Sequence, residues 1–144
     1  MSGFLLDTNL LSELRKEQRC DAGVRRWVEG TSAEAMFVSV VVLGEIRRGV
    51  ERIRLRDLKQ ARALEKWLHG IPTVFSDRVL HVDERVADQW GRLGSRQPVP
   101  PVDALLAATA LVHDLTVVTR DADGFRNTGA RVLNPFTSGS DLRI

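Results

Sequence analysis

The chain has 144 residues, of which 43% are hydrophobic and 28% charged, with 21 basic against 19 acidic side chains. That balance is globular rather than disordered, and a chain of this length buries roughly two-thirds of the surface its unfolded form exposes. No apolar run approaches the ~20 residues needed to span a bilayer, and a single cysteine, Cys20, excludes an internal disulfide and any multi-cysteine zinc site.

Gly3-Phe4-Leu5-Leu6 is an apolar run that stops at Asp7-Thr8-Asn9, which predicts a buried strand, a turn and a helix over Leu10–Arg15. Met1-Ser2-Gly3 ahead of it fits no signal-peptide pattern. Asp21 is placed to cap a helix reaching about Glu29, with Gly30 closing it. Met36–Ser39 is the next buried strand, followed by a helix over Val41–Arg52. Asp57-Leu58 opens a helix with Leu58, Ala61, Leu64 and Leu68 on one stripe, and Gly70 and Pro72 are expected to end it. Val79–Val82 reads as a short strand, and Asp83 starts a helix that carries Val86, Trp90 and Leu93 on one face. After a loop marked by Pro98, Pro100 and Pro101, Val102–His113 reads as a helix apolar nearly all round, hence buried. Thr116–Thr119 and Arg131–Leu133 complete the strands. Short apolar strands alternating with helices predict an α/β fold with a mainly parallel central sheet. No repeat, low-complexity tract or linker interrupts the pattern, which predicts one domain over residues 1–144. The expected setting is soluble and cytoplasmic, with no membrane partner.

The net charge of +2 hides an asymmetry. Eighteen of the 21 basic residues are arginine, and seven basic residues lie between Arg47 and Arg62. Arginine's planar fork suits phosphates and carboxylates, so RNA and an acidic protein partner both fit, as does an ordinary solvated helix face. Trp27, Trp67 and Trp90 fall within predicted helices and read as core or dimer contacts.

Four acids fall where ligands bind in open parallel sheets, beyond the carboxyl ends of the strands. Asp7 and Asp121 follow two predicted strands, Glu45 lies on the helix after another, and Asp103 opens the buried helix. Each also has a purely structural reading. Asp7 can cap the first helix, Asp103 can complement a helix dipole, Glu45 can pair with Arg48, and Asp121-Ala122-Asp123-Gly124 can be a plain turn. Taken together they say more, because Glu45 follows Val40-Val41-Val42-Leu43-Gly44, where a charge is expensive unless compensated. Clustered carboxylates repel one another and stay partly protonated unless a cation joins them. Mg²⁺ or Mn²⁺ suits an all-oxygen set, and metals so held activate a water and steady the leaving oxygen of a phosphodiester. Other chemistries are poorly supplied. His69, His81 and His113 lie away from the acids, Cys20 has only Arg19 near it, and no phosphate-binding glycine motif occurs. A receiver-like phosphoacceptor needs a lysine after a late strand, and the only lysines are Lys16, Lys59 and Lys66.

Phe4-Leu5-Leu6-Asp7-Thr8-Asn9-Leu10-Leu11-Ser12-Glu13 resembles the opening motif of PIN-domain ribonucleases, in particular the VapC toxins and their FitB-like branch. The segments from Ser39 to Gly49, Pro101 to Ala110, and Thr116 to Asp121 with Gly124-Phe125 resemble the next three motifs, in family order. Leu133-Asn134-Pro135-Phe136 resembles the closing stretch. The resemblance implies a three-layer α/β/α sandwich. It assigns Asp7, Glu45, Asp103 and Asp121 to a Mg²⁺ or Mn²⁺ site, with Asp121 often the looser ligand and Asp123 a possible extra acid. Thr8, Asn9, Ser39, Thr119 and Arg120 become groups that orient those carboxylates or face substrate. If the chain acts on RNA, arginines such as Arg47, Arg48 and Arg120 are expected to hold its phosphates. Gly44 departs from the alanine frequent in the family and weakens its helix by about 0.5–1 kcal/mol.

The function implied is a metal-dependent endoribonuclease toxin. Its implied partners are RNA, a second copy in a homodimer, and a small antitoxin, in FitB-like pairs a ribbon-helix-helix protein whose basic tail covers the acids. Operator DNA would be reached only through the antitoxin. The competing expectation is a weakly catalytic binding module in a toxin–antitoxin repressor complex.

Overall fold

The computed structural model describes residues 3–95 and 97–137; Met1–Ser2, Arg96 and residues 138–144, parts of the expected domain, lie outside them. Five strands among the described residues form one sheet: β1 (Phe4–Leu6), β2 (Met36–Ser39), β3 (Val79–Leu80), β4 (Thr116–Val118) and β5 (Arg131–Leu133). Their order is β3-β2-β1-β4-β5, and every pairing is parallel. Parallel strands covered on both faces are made of uninterrupted apolar residues. Accordingly Leu5, Leu6, Val38, Val117 and Val118 are all at most 1% exposed. β3 stops at Leu80, short of the expected Val82, which is 40% exposed. Thr119 lies just past β4, although its N–H still bonds the Leu133 carbonyl at 3.0 Å.

Among the described residues six helices flank the sheet in a three-layer α/β/α sandwich: α1 (Thr8–Leu14), α2 (Ala22–Glu29), α3 (Val40–Arg54), α4 (Leu58–Phe75), α5 (Glu84–Arg92) and α6 (Pro101–His113). Asp21, Asp57 and Asp83 cap α2, α4 and α5 as their sequence positions suggest, each accepting an N–H three residues on at 3.0 Å. α3 packs against α4, and α5 against α6. Phe4 meets Trp27 edge-on at 5.1 Å between ring centroids, which docks α2 on the sheet. Trp67 also packs against the core, whereas Trp90 is 43% exposed. Among the described residues no helix is long and apolar enough to cross a membrane.

α4 corrects one expectation. Gly70 and Pro72 do not end it; the helix runs on to Phe75 with Pro72 inside its last turn. The stripe begun by Ala61 and Leu68 continues through Ile71 and Phe75, all buried. That burial, worth about 1.5–3 kcal/mol per large side chain, offsets the hydrogen bond that proline removes. Leu58, assigned to the same stripe, is instead 48% exposed.

Candidate active site

The direction of strand order reverses at β1: β2 and β3 lie on one side, β4 and β5 on the other. Crevices of this kind, beyond the carboxyl ends of the strands, are where open α/β sheets bind ligands. Asp7 leaves β1 here, and Thr119, Arg120 and Asp121 leave β4.

Asp7 both caps and reaches. Its backbone N–H donates to the Val118 carbonyl at 3.0 Å, extending the β1–β4 ladder by one residue. Oδ1 accepts the Thr8 N–H at 2.7 Å, so the capping reading holds. Oδ2 accepts the Thr119 hydroxyl at 2.8 Å. Asp7 is only 8% exposed. Burial raises its pKa, the Thr119 and Thr8 hydrogen bonds oppose that, Asp121 adds to it, and the net direction is upward.

Thr119 is the fixed point beneath the site. It is fully buried, and its hydroxyl accepts from Asn9 Nδ2 at 3.0 Å and from the Asp121 N–H at 3.0 Å. With both acceptor directions taken, its one proton goes to Asp7. Asn9 completes the tie, Oδ1 accepting the Arg120 N–H at 3.0 Å. One hydroxyl and one amide thus lock the ends of β1 and β4 to each other.

Glu45 on α3 is half-buried. The Thr8 hydroxyl donates to its Oε1 at 2.6 Å, and the pair with Arg48 is not made. Ser39 is fully buried and accepts the Val41 N–H at 3.0 Å, capping the helix that carries Glu45. Asp103 lies in the first turn of α6, as a dipole-complementing acid would. Its pKa is nevertheless pushed up to about 6, by burial first and then by the charges of Asp7, Asp121 and Glu45. All four acids therefore share one electrostatic environment. Gly124 makes part of that approach possible. A Cβ there would lie 2.4 Å from Asp103 Oδ2 and 3.2 Å from Asp121 Oδ2. Both carboxylates lie against bare backbone.

Among the described residues, none of these four acids forms an ion pair with lysine, arginine or histidine. Nor do any three His, Cys, Asp or Glu side chains stand as an assembled ligand set among the described residues. The donor set is all carboxylate oxygen, self-repelling, and cradled by a glycine, which is the chemistry that a hard divalent cation fits. Asp123 stands apart: it is exposed and paired with Arg126 at 2.8 Å. Arg47 is committed elsewhere, to Glu51 at 3.0 Å and Glu65 at 2.6 Å.

Three residues of this neighbourhood escaped the reading of the sequence as site residues: Gly124, Phe136 and Glu13. Glu13 is 6% exposed, accepts Lys16 Nζ at 3.0 Å and the Asp21 N–H at 2.7 Å, and lies 4.0 Å from Arg120. Its signal was available, since an acid three residues after Leu10 falls on the buried face of α1.

The family model described as "PIN domain" matches residues 4–130. The chain is 32% identical to the plasmid stability protein StbB of Pseudomonas syringae, covering 92% of this chain and 98% of that one. It is likewise 32% identical to the toxin FitB of Neisseria gonorrhoeae, with the same coverage. Identity to the VapC ribonuclease Y4jK of Sinorhizobium fredii is 28%, over 92% and 97%. The solved FitAcB structure from Neisseria gonorrhoeae superposes with a TM-score of 0.80 at 32% identity, over 92% of this chain and 97% of that one. A structure of FitAB bound to a DNA fragment gives 0.79 at 30% identity, over 92% and 94%.

Proposed function

The chain belongs to the PIN-domain family, in company with the VapC and FitB toxins, and from that premise we propose that it is a Mg²⁺- or Mn²⁺-dependent endoribonuclease, the toxin of a toxin–antitoxin pair. The observation that carries the reading is the gathering of acids around Gly124, where a Cβ would lie 2.4 Å from Asp103 Oδ2 and 3.2 Å from Asp121 Oδ2, while among the described residues no lysine, arginine or histidine pairs with Asp7, Glu45, Asp103 or Asp121. Its support from relatives is the ribonuclease named among them.

Asp7, Glu45, Asp103 and Asp121 would hold the cation, which when bound supplies an activated water and charge stabilisation for the leaving oxygen. Thr119 holds Asp7 and the Asp121 backbone in register, Thr8 orients Glu45, and Ser39 sets the start of the helix beneath it. Substrate selection would rest on RNA shape and unpaired loops rather than on these acids.

The partner we assign is a small antitoxin whose basic tail covers the acids, with the toxin itself a homodimer. FitAcB and FitAB complexes among the structural relatives support a partner of this kind. An open groove of about 830 Å³, lined in part by Leu11, Leu14, Trp67, Ile71, Val74 and Phe75, fits the apolar side of one. The DNA-bound relative favours one further reading, a weakly catalytic module of a repressor complex that meets operator DNA through its antitoxin.

Incubating antitoxin-free protein with total cellular RNA separates the two. Discrete fragments with Mg²⁺ or Mn²⁺, lost in EDTA and in a folded Asp7→Asn variant, are the expected result. Intact RNA with folded wild type in both metals leaves the repressor module standing instead.

A further inference from the structure

Arg120 lies between the buried hydroxyl of Thr119 and the acid Asp121, and its backbone is pinned on both sides. Its N–H donates to Asn9 Oδ1 at 3.0 Å, and its carbonyl accepts Asn134 Nδ2 at 3.3 Å. The side chain lies over Phe136, with the guanidinium carbon 4.2 Å from the ring centroid. Glu13 faces it at 4.0 Å, close enough to balance its charge but beyond a hydrogen bond. Lys16 and the Asp21 N–H already satisfy the two oxygens of Glu13.

The guanidinium therefore makes no hydrogen bond to any described residue. Its Nε is moreover the one side-chain nitrogen or oxygen among them that is shut from solvent without a partner. Buried polar groups are normally satisfied, so an arginine kept here with an orphaned Nε is held for a role of its exposed end. A structural arginine beside a buried glutamate would make a bidentate pair. This one is stacked on Phe136, charge-balanced by Glu13 and 42% exposed, so that its four Nη N–H donors stay unspent while Nε is covered, one residue from the acidic site. The groups missing from this arrangement are acceptor oxygens, and a tetrahedral phosphate presents them in the geometry of the arginine fork. The position also answers an electrostatic need, because four carboxylates repel an approaching RNA backbone.

We propose that Arg120 binds a backbone phosphate of the RNA beside the four acids, and that Phe136 is a positioning residue that holds its guanidinium ready with its donors free. This rests on the ribonuclease reading above. Stacking on an aromatic face restrains the arm without consuming a donor, so the ordering cost is met before RNA arrives.

The test is equilibrium binding of a fluorescein-labelled mixed-sequence RNA oligonucleotide to full-length protein in EDTA, across a series of KCl concentrations. Each phosphate contact to a single strand contributes about 0.7 to the slope of log K against log salt. Arg120→Gln is expected to lower that slope by about 0.7 and to weaken binding about tenfold at low salt. Arg120→Lys should restore the slope but not the full affinity, since the charge returns without the fork. Phe136→Leu should weaken binding with the slope unchanged, and should have no effect on RNA binding in the Arg120→Gln background. A folded Arg120→Gln protein with the wild-type slope overturns the proposal. So does a Phe136→Leu effect that persists without Arg120, which would mark a merely structural ring. If Arg120→Gln spares RNA binding but abolishes binding of the antitoxin, the arm serves an acidic protein group and the assignment to RNA is wrong. Wild type that binds no RNA at any salt concentration overturns the ribonuclease reading itself.

Discussion

The Thr119 hydroxyl donates to Asp7 Oδ2 at 2.8 Å, joining two residues 112 positions apart in the chain. The same oxygen accepts from Asn9 and from the Asp121 N–H, so one fully buried side chain sets the spacing of β1, α1 and the turn after β4. Thr119→Val keeps the shape and removes all three hydrogen bonds. Each orphaned buried partner costs about 1–3 kcal/mol, and relaxation around the site recovers part of that. We expect a net loss of about 2–3 kcal/mol in urea denaturation, with RNA cleavage abolished. Thr119→Ser, which returns the hydroxyl, should recover most of both. A Thr119→Val protein of wild-type stability would show that the hub does not bear on the fold.

Gly124 is predicted to be as intolerant as the acids themselves. In Gly124→Ala the new methyl would meet Asp103 Oδ2 at 2.4 Å, and the carboxylates must swing away. The turn is exposed enough to stay folded, so circular dichroism should be unchanged while Mn²⁺ affinity, measured by calorimetry, falls at least tenfold. Equal Mn²⁺ affinity in wild type and Gly124→Ala would remove the cradle from the account.

Asp103 links the site to pH. Its carboxyl is raised from 3.8 to about 6 in the folded state, so the native protein holds that proton more tightly than the unfolded chain. The contribution to stability is complete below pH 3.8 and lost as pH rises through about 6. Asp103 is partly exposed, so screening reduces the effect to about 1 kcal/mol, or about 3 °C in Tm for a domain of this size. In EDTA, Asp103→Asn should therefore gain stability relative to wild type between pH 4 and pH 7. Adding Mg²⁺ at pH 7 should then raise the Tm of wild type and leave that of the variant unmoved. Parallel pH profiles for the two proteins would count against the electrostatic reading.

Gly44 offers a prediction of the opposite sign. It lies exposed in α3 beside Glu45, and a Cβ there meets nothing within 4 Å. Gly44→Ala should stabilise the protein by about 0.5–1 kcal/mol through helix propensity alone. The expected rise in Tm is a few degrees, with RNA cleavage retained. A loss of activity would mean that the glycine serves the acid next to it.

The acids were legible because each stands where an apolar run breaks, and the topology of a parallel sheet brings such breaks to one edge. Leu6-Asp7 and Val118-Thr119-Arg120-Asp121 are local signals that long-range pairing only had to bring together. α4 misled for the converse reason: Pro72 is a local stop signal, and the burial of Ile71 and Phe75 that overrides it is tertiary. The partners of Thr119, the contact between Glu13 and Arg120, and the cradle at Gly124 all join residues distant in the chain or depend on backbone shape. Periodicity carries no trace of them. Glu13 was hidden further by Lys16, which makes it read as one half of a helical surface pair although it is buried.

Asp7, Glu45, Asp103 and Asp121 are proposed to hold a divalent cation. Anomalous scattering from crystals of antitoxin-free protein soaked in Mn²⁺ tests it most directly. The expected result is an anomalous peak flanked by these carboxylates, absent from crystals of the Asp103→Asn variant. Manganese bound only elsewhere, in a protein that still cleaves RNA, would contradict it.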